Sequence, residues 1–165
     1  MRFTNLAVLT AALLFCGSVP AQTIMASSAE DAWTAKRIVD PFHNDTRCVV
    51  ESPKVAFNDG YQDTKVFLRV DDRSFYVMTE SNLDMRQGDI GVKVDGGKLI
   101  KPDAAFLDQH LQFESQIAVI VGQFRRGLAA DVHLRFWPTW PSKGRKTVRF
   151  SLIGFTRTFA RLPGC

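Results

Sequence analysis

The stretch TKVFLRVDDRSFYVMT, residues 64–79, constrains the fold more than any other part of the chain. Two runs that alternate apolar and polar side chains flank Asp71-Asp72-Arg73. A period of two places successive side chains on opposite faces, and a short polar break lets the chain reverse. The stretch therefore reads as a β-hairpin with one wet face.

The same grammar recurs. IGVKV (residues 90–94) and KLI (98–100) flank Asp95-Gly96-Gly97, a second hairpin in which glycine supplies positive φ. Residues 33–39 and 47–51 read as short strands, separated by a Pro-containing turn-rich loop that starts at Asp40-Pro41. In ADVHLRFW, residues 130–137, Val132, Leu134 and Phe136 share one face, leaving His133, Arg135 and Trp137 on the solvent side. Residues 147–153 return with Val148, Phe150 and Leu152 as the inward set. One segment departs from this pattern. In residues 115–127, Ile117, Ile120, Val121 and Phe124 fall at helical spacing, with Arg125-Arg126 suited to a helix C-terminus and Gly127 to its cap. Gly154 ends the last strand, and residues 155–162 can make about two further helical turns. An all-β, sandwich-like domain with one or two short packed helices follows.

The first 21 residues have the form of a signal peptide: Arg2, an apolar core over residues 6–15, and Val19-Pro20-Ala21 before the expected cleavage site. That core is shorter than the about 20 residues needed to span a bilayer. Cys16 follows Phe15, whereas lipidation requires a small residue there. Removal leaves 165 − 21 = 144 residues: a loose polar leader over 22–32 and a single domain over 33–165. The formal charge drops from +4 to +3 with the loss of Arg2, too little for a nucleic-acid-binding stripe. No later segment is long and apolar enough to cross a membrane, so the expectation is a periplasmic or secreted product. Cys48 and Cys165 are the two cysteines left, and in an exported chain an even count reads as a disulfide, with two free or intermolecular thiols as the alternative. Such a bond would hold a C-terminal segment that otherwise frays.

Trp33 followed by Cys48, the hairpin VFLRVDDRSFYV, and above all FSLIGFTRTFARL (residues 150–162) resemble the invasion-associated locus B family of small exported bacterial proteins. Members of that family often carry further cysteines in mid-chain, and this sequence has none there. The resemblance implies a periplasmic β-sandwich with an envelope-associated or host-interaction role. It brings no catalytic residues.

Chemistry leaves few marks. DPFHND (residues 40–45) has the composition of a turn rather than of a metal site, and no paired His or Cys ligands occur at metal-binding spacing. No GxSxG or phosphate loop is present, and Asp71-Asp72 suits a tight turn better than a catalytic pair. No catalytic residue, metal or cofactor is assigned. The most distinctive surface element is WPTWPSKGRK, residues 137–146. Trp137, Trp140, Lys143, Arg145 and Lys146 could meet an envelope protein, an anionic glycan or a lipid headgroup; alternatively the two indoles cover the end of the core. The functional expectation is a binding protein of the bacterial envelope. A periplasmic inhibitor or immunity protein for an envelope enzyme or toxin is the alternative, and a hydrolase with a spatially assembled site is a third.

Overall fold

The computed structural model describes residues 24–25, 33–39, 46–86, 88–137 and 144–165. Among them, eleven strands form two sheets, and the only helices are short. The strands are β1 (Ile24–Met25), β2 (Thr34–Val39), β3 (Thr46–Glu51), β4 (Val55–Asn58), β5 (Asp63–Val70), β6 (Phe75–Thr79), β7 (Gly91–Val94), β8 (Ala104–Phe106), β9 (His110–Phe113), β10 (Ala129–Leu134) and β11 (Lys146–Ser151). Helix α1 spans Ile117–Phe124, α2 spans Phe155–Phe159, and a 3-10 turn covers Leu162–Gly164.

One sheet has the order β1-β11-β10-β7; the other runs β2-β3-β5-β6-β9-β8, with β4 also on β5. All pairings are antiparallel except β1 with β11, where Ile24 and Met25 of the expected leader lie beside Val148 and Arg149. The expected signal peptide lies outside the described residues. The fold is thus the all-β, sandwich-like domain that the alternation requires. Inward residues of both sheets merge into one core, with Val66, Leu68, Val70 and Val77 from one and Val92, Val132, Val148 and Phe150 from the other.

β3 and β4 are one strand path broken at Ser52-Pro53-Lys54. Pro53 has no N–H for the ladder, and the Ser52 hydroxyl accepts the Leu68 N–H instead, while Ser52 N–H donates to the Leu68 carbonyl. The polar turn of the 64–79 hairpin is closed by Asp71, whose buried carboxylate accepts the N–H groups of Arg73 and Ser74.

The expected second hairpin is looser than its sequence suggests. Only a single bridge, Val92 to Ile100, joins β7 to the 98–100 segment. The helix expected over residues 115–126 forms over its middle eight residues, with Ile120 and Phe124 buried. Gly127 is not in a left-handed conformation. Its role is space: a Cβ there would lie 2.5 Å from Val94 Cγ1. Gly154 does adopt a left-handed turn (φ 88°), and the chain passes straight into α2. Phe124 and Phe155 meet each other and Trp33 edge to face, and Phe124 also meets Phe75, which ties both helices to the seven-stranded sheet. Trp33 is anchored further, donating from its indole N–H to the Ser151 carbonyl, while its own carbonyl accepts from the Thr158 hydroxyl.

Cys48 on β3 and Cys165 after the 3-10 turn meet in a disulfide with Cα atoms 5.7 Å apart. Arg37 of β2 donates to a main-chain oxygen of Cys165, so the same segment is held twice.

Candidate functional site: the Trp137 groove

Beyond Leu134, the β10 path continues toward the loop after β6. Asp84 N–H donates to the Arg135 carbonyl, Trp137 N–H donates to the Asn82 carbonyl, and Leu83 bridges Phe136. Leu83 and Phe136 are buried, and Phe136 packs against Phe57 at 5.6 Å between ring centroids. Phe136 is therefore the inward residue, and Trp137, next along the chain, projects outward with 49% of its surface exposed. Its indole is not a core lid.

Arg86 lies over the Trp137 ring, 4.2 Å from guanidinium carbon to ring centroid. Both ends of its fork donate to Asp84 at 2.8 Å. Asp84 is buried, and the Arg86 hydrogen bonds hold its carboxyl below the ordinary carboxylate range despite the opposing effect of burial. The arrangement is a stack of carboxylate, guanidinium and indole. A groove of about 350 Å³ lies against it, lined by Asn82, Leu83, Asp84, Met85, Arg86, Asp108 and Trp137.

The hairpin joining β8 to β9 forms one wall. Leu107 (φ 49°) and Asp108 (φ 52°) both occupy left-handed conformations, closed by Gln109 N–H donating to the Phe106 carbonyl. Glycine, Asn or Asp normally fills such positions, because a Cβ there crowds the backbone. Leu107 nevertheless presents 76% of its surface to solvent at the tip. Asp108 accepts the Leu83 N–H on its carbonyl and so docks this tip onto the groove floor.

Two of the other expected contact residues are described, and they do not join Trp137. Arg145 is exposed and Lys146 half-buried, and neither lines the groove with Trp137. Arg145 acts electrostatically on Asp89 and His133, whereas Lys146 acts on Asp59. Trp140 and Lys143 lie outside the described residues. Arg86 and Asp84 had no signal in the sequence. No pattern sets them apart from other polar loop residues, and only the fold lays Arg86 on Trp137.

His133, expected on the solvent face, is only 6% exposed. It stands between Gly91 of β7 and Thr147 of β11, with two forked ion pairs on its own strand's outer face: Arg149 on Asp131 and Arg135 on Asp89. A flat sheet face laced with such pairs leaves a middle residue little solvent. Burial lowers the His133 pKa, Arg145 and Lys93 lower it further, and Asp131 and Asp89 oppose them. Its Nδ1 lies 3.2 Å from the Thr147 hydroxyl. His43 of DPFHND lies outside the described residues, and among those described no group of three or more His, Cys, Asp or Glu could hold a metal ion. Glu51, a possible acid by residue type, is instead clamped between Lys36 and Arg69.

Fold and groove together define a disulfide-containing, all-β, sandwich-like domain with an exposed indole beside a groove. No family profile, curated protein or solved structure matches the chain.

Proposed function

We propose that this is an exported binding protein of the bacterial envelope, similar to the invasion-associated locus B family, that works by surface contacts and takes a protein partner in the Trp137 groove. The observation that carries the reading is the half-exposed Trp137 held in place by Arg86 and Asp84. A fixed aromatic beside an arginine is the kind of anchor that dominates protein interfaces, since little conformational freedom is lost when it docks. The charges of Asp84 and Arg86 neutralise one another, and Met85 and Leu107 add apolar surface. That balance favours a protein surface over a polyanion at this site. The disulfide suits an oxidising compartment outside the cytoplasm.

The inhibitor reading has one observation of its own. Leu107 protrudes from a tight two-residue turn, which is how a side chain is offered to an enzyme's pocket.

The test is a comparison of the purified protein with its Trp137→Ala and Leu107→Gly variants as bait in envelope extract. A partner retained by the parent and lost by Trp137→Ala, at unchanged melting temperature, supports the groove. Equal retention by all three rejects it. A single enzyme whose activity falls on binding, and recovers with Leu107→Gly, selects the inhibitor reading.

A further inference from the structure

The end of the four-stranded sheet opposite Trp137 carries a different surface. β10 and β11 are paired from Leu134 with Lys146 at one end to Ala129 with Ser151 at the other. The groove lies off the first end. Off the second, Leu128 and Ile153 are 73% and 77% exposed. They occupy the connections that join α1 to β10 and β11 to α2, and Leu152 N–H donates to the Leu128 carbonyl, so the two loops are bonded side by side. Single exposed apolar residues are ordinary, but two β-sheet-end loops tied together and both presenting a large aliphatic side chain are not.

Three arginines stand on the chain beside the pair. Arg125 and Arg126 end α1, and Arg157 lies on α2; all three are exposed. Arg125 rests over the Phe159 ring, and the Thr156 hydroxyl donates to the Arg125 carbonyl, which fixes the helix ends to each other. The Asp95 carboxylate is bonded into this corner, accepting the main-chain N–H groups of Leu128 and Ala129. Three arginines against this carboxylate leave the flanking charge positive, next along the chain to two aliphatic tips.

We infer that this end of the molecule is a peripheral membrane-docking surface, in which Leu128 and Ile153 enter the headgroup region of an anionic bilayer while Arg125, Arg126 and Arg157 meet its phosphates. The combination fits a lipid surface because both terms are needed there: a small apolar insertion is weak alone, and cations near an anionic leaflet add to it. A soluble polyanion would use the arginines and leave the aliphatic tips idle. With docking at this end, the Trp137 groove at the other end of β10 faces away from the membrane.

The experiment is sedimentation of the purified protein with vesicles of phosphatidylcholine, with and without phosphatidylglycerol. Binding is expected only with phosphatidylglycerol, and it should weaken as salt rises. Arg125→Gln, Arg126→Gln and Arg157→Gln together should reduce it by about tenfold or more. Leu128→Ser with Ile153→Ser should reduce it comparably, with the thermal midpoint unchanged, and Trp137→Ala should leave it intact. Absence of binding, or indifference to either set of substitutions, overturns the inference. So does charge-dependent binding that survives the serine pair, which would mark a site for acidic polymers or proteins. Should the serine pair fail to fold, Ile153→Trp in the otherwise unaltered protein serves: its added fluorescence should be quenched by brominated lipid, and an unquenched signal rejects insertion. The vesicle assay involves no protein partner, so its outcome stands apart from that of the groove.

Discussion

At the scale of single residues, Trp137 and His133 show how one position along a strand changes everything. Adjacent Phe136 is buried and Trp137 is not, so Trp137→Ala should leave the melting temperature nearly unchanged while weakening partner binding by about 2 kcal/mol or more, as for a hot-spot aromatic. Calorimetry of folding and of binding on the same variant checks both halves. His133 lies on the polar side of the sheet yet is buried, and its folded pKa is below the ordinary value of 6.5. The unfolded chain therefore takes up a proton that the folded chain resists. Stability is unaffected above about pH 6.5 and falls as pH drops below it toward the folded pKa. His133→Gln should flatten that decline, as read from urea titrations across the range, with His110, whose pKa is also lowered by burial and Arg69, supplying what slope remains. An unchanged slope would show that His133 is not responsible. A separate loss belongs to Asp84, Asp89 and Asp131: each is held below 3.8 by an arginine, so its contribution is present above that value and disappears as acid titrates the folded carboxylates.

Among the elements, α1 tests the packing argument most directly. Ile120 is fully buried and its N–H donates to the Gln116 carbonyl, so Ile120→Pro removes that bond and costs about 3 kcal/mol or more. Gly127→Ala should also destabilise, by about 1–3 kcal/mol, because the new methyl meets Val94 and the Asp95 carboxylate. Denaturant midpoints measure both. The sequence signal for Gly127 was misleading in kind: a glycine after a helix suggests a left-handed cap, and here the requirement is close approach to β7. Strands with strong alternation and a polar break, such as β5 and β6, were legible along the chain. β4, β8 and β9 were not. β4 is four residues beside Pro53, and the β8–β9 hairpin turns on Leu107-Asp108, which carry no glycine to advertise a turn. Residues 98–100, which alternate acceptably, make one bridge rather than a strand, since pairing depends on what lies opposite.

For the whole molecule, the disulfide is the long-range constraint. Cys48 and Cys165 are 117 residues apart, and closing so large a loop restricts the unfolded chain. Replacing either cysteine by alanine should lower stability by about 2–4 kcal/mol. Peptide mapping without reductant should recover the linked pair, and two alkylatable thiols in freshly purified protein would refute it. Arg37, Trp33 and Thr158 reinforce the same closure, bonding β2 and the residue before it to the end of β11 and the segment that follows.

The sequence by itself determined the architecture class, because a period of two in short runs with polar breaks has few other ways to bury its apolar face. It also pointed to the helix at residues 117–124, through four apolar positions at helical spacing. It singled out the one cysteine pair available to an exported chain. Only the tertiary structure decided which polar residues meet. Asp84 and Arg86 reach Trp137 because the loop after β6 crosses to the end of β10, and Leu128 reaches Ile153 because two loops from separate parts of the chain end one sheet together. Periodicity records which face a side chain takes, whereas contact between loops depends on how the strands are ordered in space, and that order is set by the packing of the whole core.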